Sequence, residues 1–157
     1  MQKLITVGSI LVFGALVIAA LTLTIATGRA ANPAFDANTE VAKPATGVAF
    51  QNINPAIRMG AAWGDRGTSA HGTFGKFPAN FITPIHSHSG AYHGVVIEGV
   101  MTNPFGKSGE TNPTKMAPAS YWYVPAGMPH ATACVSDVPC LFYFHAESGF
   151  DFKPVGG

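Results

Sequence analysis

The sequence has little charge and no cluster of basic residues. Only 11% of its 157 residues are Asp, Glu, Lys or Arg, and no two basic residues are adjacent. Beyond residue 30 the chain has seven basic and eight acidic residues, a formal net charge of −1. Nucleic-acid-binding proteins neutralise phosphates with clustered Lys and Arg side chains. We therefore expect no nucleic-acid partner.

Charge is absent altogether from Leu4 to Gly28, and two interpretations of this apolar stretch stay open. The basic start and the small residues before Ala31 are typical of a cleaved signal peptide, whereas the length of the stretch suits a membrane anchor. In both cases the basic N-terminus predicts that later residues lie outside the cytoplasm. We expect a periplasmic or extracellular protein, with the membrane as a partner if residues 1–30 stay attached.

Stretches with the 3.6-residue period of an amphipathic helix are missing after residue 30, where all 12 prolines and 15 of the 18 glycines lie. Proline and glycine disfavour helices, and short apolar segments between turns favour strands. We divide the chain into the leader at 1–30, a linker or N-terminal arm at 31–55 and one all-β domain at 56–155. The arm includes an edge-strand candidate near Val48–Ile53. The other predicted strands are Ile57–Trp63, His71–Phe77, Ile82–His88, Tyr92–Glu98, Val100–Asn103, Ser120–Val124, His130–Val135 and Leu141–His145.

Aromatic residues are frequent in these segments and are predicted to form the core. The set comprises Phe74, Phe77, Phe81, Tyr121, Trp122, Tyr123, Phe142 and Phe144.

Cysteine is scarce, since Cys134 and Cys140 in CVSDVPC are the only two. Outside the cytoplasm such residues usually pair, and the intervening Asp137 and Pro139 are typical of a hairpin loop that brings them together. Two buried thiols are the alternative that a cytosolic protein would favour. Neither cysteine has the CxxC partner of a zinc knuckle. We predict a disulfide.

Three of the six histidines lie within eight residues, and two of them have a metal-binding spacing. His86 and His88 are two residues apart, which puts both side chains on one face of a strand. His130 ends PAGMPH, a turn that delivers a histidine to the start of the next strand. Together they predict a site for one divalent transition metal ion: Fe, Mn, Zn, Ni or Cu. We assign His71 and His145 structural or exposed positions.

These two motifs together resemble those of the cupin superfamily. HSHSGAYHGVVIEG, residues 86–99, is similar to the first cupin motif, in which HxH is followed by Glu and then Gly, and PAGMPH is similar to the second, PxGxxH. The surrounding WGD, YHGVVIEG and SYWYVPAGMPH resemble an uncharacterised family related to the cupin domain of ChrR-type anti-sigma factors. The resemblance implies a single jelly-roll β-barrel with one divalent metal held by His86, His88 and His130. It also implies a Glu as the usual fourth ligand.

The sequence departs from the cupin pattern at this fourth ligand. With a three-residue spacer after His88 the Glu position holds Tyr92, and with a four-residue spacer it holds His93. If no residue bulges, strand alternation puts Tyr92 on the face of His88 and His93 on the opposite face. A bulge at Gly90 would reverse the two. We predict that Tyr92 is a metal ligand or a general base and keep His93 as the second catalytic candidate.

Two classes of function fit these motifs. Three neutral imidazoles leave a metal with open positions that polarise a carbonyl or carboxylate or activate water or dioxygen. This indicates a small lyase- or dioxygenase-type enzyme acting on a small organic molecule in an apolar pocket. The alternative is a non-catalytic sensor or binding module for a metal or small ligand, or a subunit of a membrane complex. Apolar Val95 and Ile97 on the outward face need cover from the arm or a second copy, so a homodimer also stays open.

Overall fold

The computed structural model describes residues 36–103 and 113–156. The predicted leader at 1–30 lies outside the described residues. Within the described ranges no helix has the length and hydropathy that a membrane span requires. One 3₁₀ turn, Ala45–Gly47, precedes eleven strands. The strands are β1 (Gln51–Asn52), β2 (Arg58–Gly64), β3 (His71–Phe77), β4 (Phe81–Ile82), β5 (His86–Ser87), β6 (Tyr92–Glu98), β7 (Met101–Thr102), β8 (Tyr121–Val124), β9 (Ala133–Cys134), β10 (Cys140–Ala146) and β11 (Lys153–Pro154).

The strands form three antiparallel sheets around one core. The largest sheet has the order β1-β2-β3-β10-β6-β8, and the smaller sheets are β4-β9-β7 and β5-β11. Alternate residues of the large sheet are buried, such as Phe142 and Phe144 on β10, and they share a core cluster with Met101 of β7. Period-two alternation with one buried face is what an antiparallel sheet of this kind requires. The predicted all-β jelly-roll fold is therefore confirmed.

The predicted strand Ile82–His88 is divided in the structure. Its two ends form β4 and β5, with Thr83–Ile85 between them. Pro84 has no N–H to donate to a ladder, and the two ends belong to different sheets, since β4 pairs with β9 and β5 pairs with β11. The prediction of one continuous strand was wrong. β3 and β6, in contrast, have the predicted bounds.

Strand alternation also corrects the predicted aromatic core. Trp122 on β8 is buried, but its neighbours Tyr121 and Tyr123 are 59% and 43% exposed. They point to the outer face of the sheet, where Val95 and Ile97 are also exposed. Tyr121 and Tyr123 are therefore not core residues, because a strand of a sheet with one buried face, such as the four-residue β8, can bury only alternate positions.

The arm packs on β2 rather than on this outer face. β1 pairs with the start of β2, with Gln51 opposite Met59, so an edge strand lies where the sequence indicated one. The Lys43 ammonium donates a hydrogen bond to the Ala61 carbonyl at 3.1 Å. The arm thus extends the sheet at the edge opposite β8.

The predicted disulfide is present between Cys134 and Cys140, whose Cα atoms are 5.8 Å apart. It joins β9 of a small sheet to β10 of the large sheet. Because the two strands belong to different sheets, the bond ties together the two layers that enclose the core.

Candidate metal centre

Three histidines converge at the inner side of the small sheets. His86 lies on β5, His88 is the first residue after β5, and His130 lies in the segment before β9. Their ligand nitrogens are within 4.8 Å of one another, and all three side chains are buried. The backbones of His86 and His130 exchange two hydrogen bonds, of 2.9 and 2.8 Å. His86 and His130, one from each motif and 44 residues apart, are therefore held side by side by their backbones.

Each imidazole has one nitrogen committed to the backbone. Nδ1 of His86 donates to the Pro84 carbonyl at 2.8 Å, Nδ1 of His88 to the Asp151 carbonyl at 2.5 Å, and Nδ1 of His130 to the Met128 carbonyl at 2.9 Å. A carbonyl only accepts, so Nδ1 must carry the proton and Nε2 keeps its lone pair. Metal-binding histidines are commonly oriented in this way by an acceptor behind the ring. The cluster therefore presents three Nε2 atoms in the correct tautomer.

Burial keeps these rings neutral. It lowers the pKa of His88 and of His130 to about 4, and it also lowers the pKa of His86. The neutral imidazole is the form that binds a metal. In each neutral ring Nδ1 carries the single proton and Nε2 carries none. The three residues therefore fit a divalent transition metal.

A segment distant in sequence covers this cluster. We call residues Phe150–Pro154 the β11 strap, because β11 pairs with β5. Phe150 stacks on His88 with ring centroids 3.9 Å apart, and Phe152 stacks on His86 at 4.4 Å. The strap therefore fixes both rings of the HxH motif from one side.

Asp151 anchors the strap to the histidine segment. Its carboxylate accepts hydrogen bonds from the Ser89 backbone N–H at 2.7 Å and from the Ser89 hydroxyl at 2.6 Å. The hydrogen bonds from Ser89 lower the pKa of Asp151 to about 2, so the carboxylate is charged at neutral pH. Sequence reasoning missed the strap, since no local pattern in a two-residue strand signals its partner.

Tyr92 belongs to the cluster and His93 does not. Tyr92 is buried, and its Oη lies 3.0 Å from Nε2 of His130. Burial raises the pKa of Tyr92 to about 12, so in the metal-free chain the phenol keeps its proton and donates it to this nitrogen. An ion bound at Nε2 of His130 would replace this hydrogen bond. His93 is exposed on the outer face, where its Nδ1 is hydrogen-bonded to the Tyr121 hydroxyl. The opposite orientations of Tyr92 and His93 follow the alternation of β6, which begins at Tyr92, whereas residues 88–91 between β5 and β6 are not strand. The role of Tyr92 as ligand or base stays a prediction.

An apolar cavity leads to the cluster. Its volume is about 70 Å³. His86, His88 and Tyr92 lie on its wall, and Thr83 and Thr132 are the other polar side chains that line it. The rest of the wall is apolar and includes Met59, Phe77, Trp122, Phe142 and Phe144. A small organic molecule with an apolar body can therefore reach the His86 and His88 rings and the Tyr92 phenol.

The two remaining histidines lie outside the cluster. His71 is buried, with Nδ1 2.9 Å from the Thr73 hydroxyl. His145 is half-buried, with Nδ1 3.1 Å from the His71 carbonyl oxygen and Nε2 2.7 Å from a carboxylate oxygen of the exposed Glu147. Both positions fit the structural assignment made from the sequence.

Comparison with known proteins gives one family and a common fold. Residues 38–156 match the family model described as "Domain of unknown function (DUF4437)". No curated protein sequence matches the chain. The match covers the arm from residue 38 onward as well as the barrel.

Solved cupin-type structures resemble this one at low sequence identity. The polyketide cyclase RemF from Streptomyces resistomycificus is 17% identical with a TM-score of 0.63, over 76% of this chain and 87% of that one. An RmlC-like cupin from Shewanella frigidimarina is 11% identical with a TM-score of 0.57, over 71% and 93%. The anti-sigma factor ChrR from Rhodobacter sphaeroides, in complex with SigE, is 14% identical with a TM-score of 0.52, over 66% and 52%. At such identities the likeness shows the fold alone. The chain therefore belongs to the DUF4437 family, a domain of unknown function, and its fold is that of the cupin superfamily, as the two histidine motifs indicated.

Proposed function

We propose that this protein is a metal-dependent enzyme of the lyase type that acts on a small organic molecule. The observation that carries the proposal is the meeting of three groups at one place: the three preset Nε2 atoms, a buried phenol and an apolar cavity that reaches both. A structural metal site is closed by its protein ligands, whereas a catalytic site keeps a position open. A cavity wall that includes His86, His88 and Tyr92 is the arrangement expected of an open site.

His86, His88 and His130 would hold one divalent ion through Nε2. Imidazole ligands suit Zn, Cu, Fe and Ni. When bound, such an ion polarises a carbonyl or carboxylate oxygen of a substrate. The backbone acceptors behind the rings keep the three nitrogens in place, so little reorganisation opposes binding.

Tyr92 is the group that favours proton transfer over dioxygen chemistry. Its Oη holds a proton and sits 3.0 Å from a ligand nitrogen. Burial stabilises the neutral phenol, while a nearby positive charge stabilises the phenolate. The two effects oppose each other at one oxygen. A bound ion would favour loss of the phenol proton before the reaction, and the resulting phenolate would take a proton from a substrate carbon or oxygen and return it.

Proton transfer at Tyr92 also requires a site from which water is excluded, and the cavity wall provides it. Trp122, Phe142 and Phe144 surround the space next to Tyr92. With water excluded, electrostatic interactions with a developing charge are stronger than in bulk solvent. The polyketide cyclase RemF, an enzyme of similar fold, is in keeping with chemistry on a small organic molecule.

Metal analysis of protein purified from its native compartment is the first test. We expect about one transition metal ion per chain. The cobalt-substituted protein should then change its visible spectrum on addition of azide, because an open position accepts an added ligand. A metal-loaded protein whose spectrum ignores azide would contradict an enzyme and support the sensor or binding module instead.

We also propose that the protein works outside the cytoplasm. The disulfide and the uncharged stretch from Leu4 to Gly28 support this location. Protein isolated without reductant should show no free thiol after denaturation, and two free thiols would contradict the proposal. Intact-mass measurement separates a cleaved leader, with loss of about 30 residues, from a retained anchor.

A further inference from the structure

The outer face of the large sheet exposes a continuous apolar and aromatic surface. Val95 and Ile97 on β6 are each 37% exposed, and Tyr121 and Tyr123 on β8 are more exposed still. Tyr143, at the centre of β10, is half-buried on the same face. Val95 lies opposite Tyr121 on one side and Tyr143 on the other, so these side chains adjoin one another. Contiguous apolar patches of more than a few hundred Å² are rare on monomers and mark interaction sites.

The arm covers only one end of this face. A Cβ atom on Gly60 of β2 would lie 2.6 Å from a Val48 side-chain carbon, so the arm runs directly over the backbone there. The Lys76 ammonium of β3 lies 4.2 Å from the centroid of the Phe50 ring, which brings the arm as far as β3. The face therefore has a raised half, formed by β2 and β3 with the arm, and a bare half, formed by β6 and β8. β10 lies between the two halves.

Side chains of opposite charge lie on the two halves at the same level. On the raised half, Arg58 of β2 is opposite Lys76 of β3. Lys76 is in turn opposite Leu141 of β10, and Leu141 is opposite Glu98 of β6. One row across the sheet thus carries two cations, then an apolar residue on β10, then a carboxylate on the bare half.

A two-fold axis parallel to β10 makes this face complementary to itself. Such a rotation exchanges the two halves, so the raised half of one copy meets the bare half of the other. Lys76 then faces Glu98 of the second copy, because the two residues lie at one level on either side of β10. Phe74 and Val95, which both lie opposite Tyr143, face each other in the same way. A two-fold interface requires one patch that is complementary to itself.

The size of the face suits a stable dimer. Five strands of up to seven residues contribute to it. With strands about 4.8 Å apart and a rise of about 3.4 Å per residue, the face measures roughly 24 by 24 Å. Two copies would therefore bury on the order of 1,200 Å² in total, the lower end of the range for stable interfaces. An aromatic centre with charges at the ends is also the composition of specific interfaces.

We propose that the outer face of the large sheet binds a second copy of this chain about a two-fold axis parallel to β10, with Lys76 paired to Glu98 across the interface. The face lies on the side of the sheet that points away from the histidine cluster. The dimer is therefore independent of the metal centre and is testable without metal.

Sedimentation equilibrium of the purified protein measures the association. Wild type and variants are compared in the same form, so that any association through the leader is common to all of them. We expect a dimer, and Val95→Glu should raise its dissociation constant at least about 100-fold, because two unpaired carboxylates enter the interface. Tyr121→Glu, at a more exposed position, is the second variant and should act in the same direction.

Ile82→Glu is the matched control for these variants. Ile82 is 61% exposed on β4, in a small sheet away from the outer face, so the same change there should leave the association unchanged. A monomeric wild-type protein, a dimer that persists in Val95→Glu and Tyr121→Glu, or an equal effect of Ile82→Glu would each overturn the proposal.

Cysteine crosslinking tests the direction of the axis. Both native cysteines are in the disulfide, so an introduced cysteine is the free thiol. His145 on β10 would lie beside His145 of the second copy, whereas Val95 lies one strand away from the axis. A bismaleimide of about 10 Å reach, the spacing of packed sheets, should therefore join two copies of His145→Cys and not of Val95→Cys. Any other pattern would overturn the proposed geometry.

Charge reversal tests the pairing of Lys76 with Glu98. Each of Lys76→Glu and Glu98→Lys places like charges opposite each other twice in the dimer, so each should weaken the association roughly 10-fold. The double variant Lys76→Glu/Glu98→Lys restores opposite charges and should return the dissociation constant to near the wild-type value. Single variants without effect, or a double variant without rescue, would overturn the pairing.

Discussion

The inner and outer histidines of this barrel differ in what occupies their nitrogens. His86, His88 and His130 are buried, and each directs Nδ1 to a backbone carbonyl and leaves Nε2 to the cluster. His93 and His145 lie opposite each other on β6 and β10, and their side chains bond to Tyr121 and Glu147. The comparison teaches that proximity of histidines does not make a metal site. His145 also has a backbone acceptor, the His71 carbonyl, but its Nε2 is bonded to Glu147. The candidate site differs in the burial of its three rings and in the closeness of their ligand nitrogens.

Removing one inner ligand should have the largest effect. In His130→Ala the metal keeps two protein ligands, so its affinity should fall by more than the roughly 10- to 100-fold that loss of an outer-shell partner costs. Thermal stability in the presence of metal should fall with it, since metal binding stabilises the native state. His145→Ala is the outer counterpart, and its metal content, measured by elemental analysis, should stay near that of the wild type. Full metal retention in both His130→Ala and His86→Ala would refute the site.

Separate substitutions of Tyr92 and His93, neighbours on β6, sharpen the comparison. Tyr92→Phe removes a hydroxyl at the cluster, so turnover should fall about 10²- to 10⁴-fold if the phenol is a general base. The visible spectrum of the cobalt protein should change if it is a ligand. His93→Ala removes an exposed ring and should leave metal content near normal. Loss of metal in His93→Ala but not in Tyr92→Phe would reverse the assignment.

Acid should destabilise the metal-free protein through its buried imidazoles. The pKa of His71, of His88 and of His130 is about 4 in the folded chain, against about 6.5 unfolded. Between these values the unfolded chain binds more protons, so the free energy of unfolding should fall as pH drops from about 6.5 to 4, on the order of several kcal/mol in total. Above pH 6.5 these groups contribute no slope.

Urea denaturation at a series of pH values measures this effect. His130→Ala should show a shallower fall between pH 6.5 and 4, because one buried imidazole is absent. Val95→Thr, on the exposed outer face, should keep the wild-type slope, and an equal reduction there would contradict the burial argument.

The smallest effect is expected from removing the carboxylates next to the inner and outer histidines, Asp151 and Glu147. Asp151→Ala frees Ser89 and loosens the acceptor behind His88, so metal affinity should fall about tenfold, the lower end for outer-shell partners. Glu147→Ala removes the exposed partner of His145 and should leave metal affinity unchanged. Competition with a chelator measures the metal affinity of both variants. Equal affinities of Asp151→Ala and Glu147→Ala would show that the strap does not position His88.

The ligand histidines and the orientation of Tyr92 could be predicted because both depend on local rules. The HxH spacing and the alternation of β6 are period-two patterns that act over a few residues. The same rule, applied to β8, would have placed Trp122 inward and Tyr121 and Tyr123 outward. Their prediction as core residues followed composition instead, and the structure contradicts it.

The strap could not be predicted in this way. The contact of Asp151 with His88 spans 63 residues, and β11 is too short to carry a pattern. The hydrogen bond from the Thr132 hydroxyl to Asn103 likewise joins residues that are 29 positions apart. Such features depend on tertiary packing, which a single sequence does not display.

The strap also has a consequence for the order in which the protein is made. During synthesis His86 and His88 leave the ribosome before the residues that stack on their rings and before the carbonyl that accepts from His88. Until then either nitrogen of these rings is free to carry the proton, and an early-captured ion would meet ligands of mixed tautomer. At the proposed metal centre, correct loading would therefore follow docking of the strap, and metal uptake would report a finished barrel.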